Sequence, residues 1–398
     1  MSFGFQFDES EMDEEYLSSS QPQPPFSAAS TSAQTSLTEQ APFSSHSVGE
    51  MLQHLPSRIS YSSIGVSLAG GERTQRLLRR DLFDARFQML LDEDDDDDER
   101  GEGESKDAQG NGMVAAQGSV DAESDLIPGV YEGGLKTWEC ALDLVETIDA
   151  LHATSGGAEA DGSWSSRLSG KNVLELGCGT ALPSLFLLSQ VLKDPLGGKI
   201  NLTLHLADYN AAVLQLVTLP NLLLTWYASP ASSAYRTTLE AEQLRQERHE
   251  LTRRGQDHFD TSAQAAAGEE GELAISDELL SSFSASLEER GIGLKFYSGA
   301  WVNFPKTLGK MDMLLTSETI YSLESLPALV ELLSRYAKPE GEVEAGLVLV
   351  AAKVIYFGVG GGVESFKQTL GQLTPAAKVE SLHSVTKGVG RTVLSVTF

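Results

Sequence analysis

Two cysteines, Cys140 and Cys178, are all that the 398 residues contain. That leaves neither a disulfide framework nor a cysteine-built zinc site, and it points to a reducing compartment, cytoplasm and nucleus. Basic residues are also scarce: 29 Lys plus Arg stand against 57 Asp plus Glu, a net charge of −28. Nonspecific grip on nucleic acid needs clustered cations, so direct, specific nucleic-acid binding is not expected, and only local basic patches on a folded part remain open. There is no run of 18 apolar residues and no N-terminal apolar segment of the secretory kind, so neither a membrane partner nor secretion is expected. The seven histidines show no metal-ligand spacing, and no Ser/His/Asp arrangement is discernible. His205, inside an apolar strand, and His383, in a hairpin, read as structural, and Cys178 as a small packing residue.

The acid is unevenly spread. Residues 1–124 hold 24 Asp plus Glu and 8 Lys plus Arg, a net of −16 in less than a third of the chain. This third includes the Ser/Gln/Pro-rich stretch Ser18 to Pro42 and the run Asp92 to Glu99. Such a composition buries too little apolar surface to offset chain entropy, so residues 1–124 are expected to be a disordered acidic tail with a short helix around Thr74 to Leu91. The tail is either a solubilising linker or a docking tract for a basic partner.

From Asp125 onward, apolar strands alternate with amphipathic helices, the sign of a parallel sheet with crossovers. The expected strands are Asn172 to Leu176, Leu202 to Ala207, Leu294 to Tyr297, Met311 to Thr316 and Gly346 to Lys353. An antiparallel hairpin, Lys378 to Val385 and Thr392 to Phe398, closes the series at seven. Helices are expected at Ala181 to Leu192, from Ala211 to Trp226 with a break at Pro220, and at Leu323 to Tyr336. The segment from Tyr227 to about Gly271 is a polar insertion, read as disorder or a surface flap, with Thr237 to Arg254 as an exposed helix.

The most informative stretch is Asn172-Val-Leu-Glu-Leu-Gly-Cys-Gly-Thr-Ala-Leu-Pro183 followed by Leu206-Ala-Asp-Tyr-Asn210. Glycines after a buried strand let the backbone turn sharply and approach a ligand where a Cβ would clash. An acid at the end of the next strand, Asp208, is placed to take the two hydroxyls of a ribose, although a helix N-cap is its other reading. Leu182 occupies the third glycine position of a dinucleotide fingerprint, and no Lys-Ser or Lys-Thr follows, which argues against a P-loop. E-x-G-x-G with a later acid, from Glu175, Gly177, Gly179 and Asp208, resembles the seven-strand class of S-adenosylmethionine-dependent methyltransferases. The fold class expected is thus α/β: a Rossmann-like seven-stranded methyltransferase sheet with helices on both faces, residues 125–398, behind the disordered tail.

Four further blocks sharpen the resemblance: Gly133-Gly-Leu-Lys-Thr-Trp-Glu-Cys140, Val217-Thr-Leu-Pro-Asn221, Ser298-Gly-Ala-Trp301 and Thr316-Ser-Glu-Thr-Ile-Tyr321. In this order they resemble family 16 of the protein methyltransferases, and in particular the eukaryotic histidine protein methyltransferases. The resemblance spans Asp125 to Phe398 without the insertion. It implies S-adenosyl-L-methionine as cofactor, with Trp138, Glu139, Glu175, Gly177, Gly179, Asp208, Tyr209, Asn210, Gly299, Ala300, Trp301 and Ser317 binding it. Glu318 and Tyr321 form the [D/E]-x-x-Y signature and are the candidate catalytic pair. The resemblance also implies histidine as the acceptor, methylated at the tele nitrogen, in a large-subunit ribosomal protein. A monomer is expected, although the chain itself does not reveal its oligomeric state.

Read from the residues alone, several of these positions stay open. Glu175 either fixes the glycine turn or reaches the ligand, and Trp138 and Trp301 are either core packing or site walls. Ser317 or Thr319 can open a helix as an N-cap. A neutral imidazole carries a free lone pair near pH 7, whereas a lysine must first lose a proton. Sequence physics does not choose between the two acceptors, so a protein-lysine methyltransferase of the same family is the alternative. A noncatalytic binding protein that chaperones a basic client with its acidic tail is the second.

Overall fold

The computed structural model describes residues 41–68, 71–89, 134–154, 162–194, 198–239, 241, 269–339, 345–356 and 360–398. Its strands are β1 Ser44–His46, β2 Arg58–Leu68, β3 Arg73–Arg80, β4 Asn172–Leu176, β5 Leu202–Asp208, β6 Glu270–Ala274, β7 Ile292–Ser298, β8 Met313–Ser317, β9 Leu347–Lys353, β10 Lys378–Val385 and β11 Arg391–Thr397. Helices are α1 Val48–Gln53, α2 82–89, α3 Glu139–Thr154, α4 Trp164–Leu168, α5 Leu182–Lys193, α6 Ala211–Tyr227, α7 Asp277–Arg290, α8 Leu326–Tyr336 and α9 Val363–Leu373.

The main sheet runs β1-β7-β5-β4-β8-β9-β11-β10. Strands β4, β5, β7, β8 and β9 are mutually parallel. The final hairpin is antiparallel, with β11 inserted between β9 and β10. From β4 the chain proceeds outward to β5 and β7, then returns to the other side of β4 for β8 and β9. Strand order therefore reverses between β4 and β8, and an open α/β sheet binds ligands at such a switch point, beyond the carboxyl ends of the strands.

Because the side chains of a strand alternate, the parallel strands feed two cores. Val173, Leu204, Leu206, Leu315, Leu349 and Ala351 pack on one face with Leu144 of α3, Leu185 of α5 and Leu223 of α6. Leu174, Leu176, Leu314, Val348 and Val350 pack on the other with Leu329 and Leu333 of α8 and Phe366 of α9. His205 is buried between neighbouring strands, with Nδ1 3.1 Å from the Tyr297 hydroxyl and Nε2 3.3 Å from Asn172 Oδ1. It is a core histidine.

Residues 41–89 do not follow the expectation of a disordered tail. Strand β1 adds an eighth, antiparallel strand at the free edge of β7, and β3, β2 and β6 make a second sheet. Here Ile59, Tyr61, Val66, Leu68, Leu77 and Leu78 are buried and join the core of α3, α5 and α6. Composition averaged over 124 residues hid this local apolar pattern beneath the neighbouring acid. The helix expected over Thr74 to Leu91 begins as strand β3, and helix starts only at residue 82.

The insertion is likewise corrected at both ends. Pro230–Leu239 is helical, and Glu270–Ala274 returns as β6 to pair with β2. The helix proposed for Thr237 to Arg254 falls largely outside the described residues, as does the acidic run Asp92 to Glu99.

One buried arginine ties the second sheet to the first. Proline lacks an N–H, so Pro220 cannot donate to the carbonyl four residues earlier, that of Leu216. The chain passes this point through a π-helical turn, Leu214–Thr218. Arg80, 4% exposed, donates from Nη1 to Leu216 O at 2.8 Å and from Nε to Asp84 at 2.6 Å. The backbone N–H of Arg80 is accepted by Asn221 Oδ1 at 2.7 Å, and Asn221 Nδ2 donates to Thr180 O at 3.1 Å. The chain after the glycine turn is thus linked to β3. Arg80→Met removes the donors and leaves a carbonyl unpaired, so stability is expected to fall by roughly 2–3 kcal/mol in denaturant unfolding.

Candidate active site

The glycine turn ends β4. Gly177 and Gly179 have φ of +64° and +50°, a region that residues with a Cβ seldom adopt. A Cβ on Gly177 would lie 2.4 Å from Thr319 Cγ2 and 3.8 Å from the Trp301 ring. On Gly179 it would lie 3.1 Å from Gly134 O. The turn is fixed from all sides: Asp208 Oδ2 accepts the Gly179 N–H at 2.9 Å, and Thr218 Oγ1 donates to Gly179 O at 2.7 Å. Thr316 Oγ1 donates to Leu176 O at 2.8 Å and lies 2.6 Å from Thr319 Oγ1. Cys178 is buried, with only Thr218 Oγ1 near its sulfur at 3.8 Å, and burial pushes its thiol well up. It packs rather than attacks.

Glu175 has a supporting contact in the fold. It is 1% exposed, and its Oε2 accepts both the backbone N–H of Ser184 at 3.0 Å and the Ser184 hydroxyl at 2.5 Å. It thereby holds the first turn of α5. Burial outweighs these hydrogen bonds and pushes the carboxyl up from 4.5 to about 8.

Asp208 closes β5 and is 6% exposed. Its Oδ1 accepts the Asn210 N–H at 3.1 Å, so it is not a helix N-cap; Asn210 occupies that position, without a side-chain cap bond. The Tyr209 carbonyl accepts the Gly299 N–H at 3.2 Å, joining the ends of β5 and β7.

Beyond β7, Gly299 has φ +119°, and a Cβ there would meet Pro42 O at 2.3 Å. The Ala300 N–H and Asn303 Nδ2 donate to Ala41 O at 3.0 and 2.8 Å. Phe43 stacks on Tyr297 at 5.7 Å between centroids. Residues Ala41 to Phe43 therefore cover this corner, which the sequence reading did not foresee. Trp301 is half-buried, edge-on to Phe304 at 5.4 Å and flanking Gly177.

Residues 134–138 bridge the crevice. Gly134 lies against Gly179 and Val213, and Thr137 Oγ1 donates to Thr180 Oγ1 at 3.0 Å. Trp138 ends over the far side of the sheet, its ring 4.7 Å from Lys353 Nζ and 4.8 Å from Lys136 Nζ. Glu139, the first residue of α3, is exposed.

At the end of β8, Ser317 is half-buried and Glu318 adopts φ +58°. That conformation costs a non-glycine residue about 1–2 kcal/mol, and the Glu318 N–H is held by Ala351 O at 2.9 Å. The side chain of Glu318 is 9% exposed, with Oε1 3.6 Å from Lys353 Nζ. The carboxylate also adjoins the Cys140 thiol and the Tyr356 hydroxyl, and burial, followed by the charge of Glu318, pushes both groups far up. Tyr356 takes the Lys353 backbone N–H on its oxygen at 3.2 Å, leaving its own hydrogen to give. Tyr321 stands edge-on to Tyr356 at 6.3 Å.

Gly177, Gly179, Asp208, Gly299, Ala300 and Trp301 thus gather on one side of the crevice. Glu318, Ser317, Tyr321 and Trp138 gather on the other, and Glu139 stays at the rim. Lys353 and Tyr356 were missed, although a lone lysine ending the otherwise apolar run Leu347–Ala352 was a legible signal. Phe43, Arg80 and Asn221 carried no such mark.

A parallel sheet with this strand order, a glycine turn at its switch point and an acid at the end of the next strand define a methyltransferase of the S-adenosylmethionine-dependent seven-strand class. No family model matches the chain. Histidine protein methyltransferase 1 of Schizosaccharomyces pombe is 30% identical over 358 residues, 88% of this chain and 84% of that protein. Its Saccharomyces cerevisiae namesake is 32% identical over 339 residues, 80% and 76%, and a Bos taurus homologue is 29% identical over 70% of this chain and 59% of that one. The chain belongs to the histidine protein methyltransferase family. Among solved structures, an rRNA methyltransferase from Streptomyces viridochromogenes aligns at 14% identity over 70% of this chain and 93% of that one, with a TM-score of 0.32, too loosely to bear on the reading.

The residues present fit S-adenosylmethionine. The glycine turn leaves open what a Cβ would fill, and Asp208 brings a buried carboxylate to the end of β5 beside it. Gly177→Ala is expected to abolish cofactor binding in calorimetry, since the added methyl meets Thr319 in a backbone region it does not tolerate. Between pH 4.5 and about 8 the folded chain keeps a proton on Glu175 that the unfolded chain has released. The stability from this group is therefore full below pH 4.5 and falls as pH rises toward 8. Glu175→Gln, which cannot ionise, is expected to flatten the decline of Tm across that window.

Proposed function

We propose that this enzyme transfers the methyl group of S-adenosylmethionine to the tele nitrogen of a histidine in a large-subunit ribosomal protein, acting in cytoplasm and nucleus. The observation that carries the histidine chemistry is Glu318 just beyond β8, a carboxylate whose side chain is 9% exposed and whose Oε1 lies 3.6 Å from Lys353 Nζ. It precedes Thr319, whose side chain packs against Gly177 of the glycine turn.

Transfer from a sulfonium is an in-line displacement, so the main task is to hold nucleophile and methyl in a near-attack line. A neutral imidazole needs no base before attack, but it does need the right tautomer. Glu318 Oε1 accepts the N–H of the pros nitrogen, which leaves the lone pair of the tele nitrogen facing the methyl group. Tyr321 and Trp301 wall the space around the sulfonium, where aromatic faces favour a cation. Exposed apolar side chains just outside, Leu323 at 54%, Val354 at 45% and Ile355 at 56%, suit a protein rather than a small polar acceptor. The ribosomal identity of the substrate rests on the resemblance of the motif blocks.

Labelled methyl transfer into an extract of cells lacking the enzyme, followed by hydrolysis, tests the reading. Methylhistidine in one ribosomal protein is expected, whereas methyllysine moves the chain to the sister activity. For the carboxylate, Glu318→Gln is expected to lower kcat roughly ten- to a hundredfold, the worth of a hydrogen bond to a charged group. The tele preference is expected to loosen as well. Full turnover with unaltered nitrogen preference sinks the role of Glu318.

A further inference from the structure

The reaction as proposed accounts for Glu318 but not for the cation beside it. Lys353 ends β9 with its side chain only 19% exposed. Three groups hold it in place: Glu318 Oε1 at 3.6 Å, the Trp138 ring at 4.7 Å and the Tyr356 ring at 5.8 Å. A lysine normally carries its ammonium into water, whereas this one is kept at the wall of the crevice. The other ionisable groups around it are Cys140 on α3, Tyr356 beyond β9, the Asp143–Arg391 pair at 2.6 Å and Lys136 across Trp138. Asp143 and Arg391 satisfy each other through two hydrogen bonds, so Lys353 is the cation that answers Glu318.

Resting on the reading that Glu318 receives the acceptor, we propose that Lys353 is the residue that makes the site choose histidine over lysine. A lysine acceptor arrives as an ammonium. It must be attracted and must then lose a proton, and both steps draw on a carboxylate that is free to take a positive charge. Lys353 already compensates Glu318, so a second ammonium meets a like charge at close range, and the carboxylate is a poor proton acceptor for it. A neutral imidazole asks only for a lone pair to receive its N–H, which the paired carboxylate still has. The same cation disfavours imidazolium, so the bound ring is held in its nucleophilic form. In the transfer itself the methyl–sulfur bond breaks as the nitrogen–methyl bond forms. The sulfur keeps its electron pair, and the pros N–H proton leaves the resulting cationic ring to solvent.

The test uses the full chain and the substrate protein that the labelling experiment identifies, as it stands and with its target histidine changed to lysine. The wild-type enzyme on the unaltered substrate reports on the underlying reading: absence of histidine methylation there overturns that reading and this inference with it. Given that activity, Lys353→Met is expected to lower the histidine-to-lysine ratio of kcat/KM at least tenfold, with methyllysine appearing on the altered substrate. It is also expected to move the acid limb of the kcat–pH profile for histidine upward by about one unit, because an uncompensated Glu318 then favours imidazolium. Lys353→Arg, which keeps the charge, is expected to keep the selectivity. Lys353→Gln serves as a second neutral variant, and cofactor affinity checks that each variant is folded. The inference fails if both neutral variants keep the wild-type ratio, if Lys353→Arg loses selectivity as far as Lys353→Met does, or if the neutral variants lose both activities in equal measure.

Discussion

Backbone at the end of β4 passes through a space with no room for a side chain, and side-chain hydrogen bonds from three other segments hold it there. Gly177 and Gly179 take left-handed conformations between Thr319 on one side and Gly134 on the other. Asp208, Thr218 and Thr316 each fix one backbone group of the turn or of the strand leading into it. Glu175, from the same strand, fixes the helix that follows. The turn is therefore preorganised, and a ligand approaching it finds its hydrogen-bond partners already in place. The second sheet contributes to the same end, since Arg80 and Asn221 reach from β3 through the π-turn to Thr180.

The two banks of the crevice are built on different principles. The bank of β4, β5 and β7 is glycine, backbone N–H and one buried carboxylate, a surface suited to close approach by a flat polar ligand. Opposite, at the ends of β8 and β9, a carboxylate, an ammonium, a thiol and a phenol share a small and mostly dry space under the Trp138 ring. One bank binds shape and the other arranges charge. Glu318 is held in a conformation its own backbone disfavours, with its N–H bonded to Ala351 of β9 and its carboxylate beside Lys353 at the end of that strand.

Much of the fold was readable from periodicity. The seven main-sheet strands from Asn172 onward lie within a few residues of where they were expected, the five parallel ones because strands buried on both faces are nearly continuous apolar runs. The glycine turn, Asp208 and Glu318 were readable because a ligand site at a switch point demands particular residue types at strand ends. Strands β1, β2, β3 and β6 were not, for physical reasons: β1 and β6 are short and find their partners far away in sequence, while β2 and β3, though they pair with each other, are polar along much of their length. Ile59 and Tyr61 have little local meaning until Leu273 of β6 and Leu144 of α3 are there to cover them. Lys353 and Tyr356 escaped for a related reason, since an ordinary lysine and tyrosine gain their role only from the carboxylate that another strand brings beside them.

Strand β1 sits next to β7, with His46 hydrogen-bonded to Ser298 across 252 positions of sequence. During synthesis the first strand of the finished sheet must therefore wait for nearly the whole chain before it has a neighbour. Long-range closure of this kind is slow relative to local helix formation. Until it happens, the outer edge of β7 presents unpaired backbone groups to any other strand that arrives first. The corner of Gly299 and Ala300, covered by Ala41 to Phe43, is consequently among the last parts of the molecule to be completed.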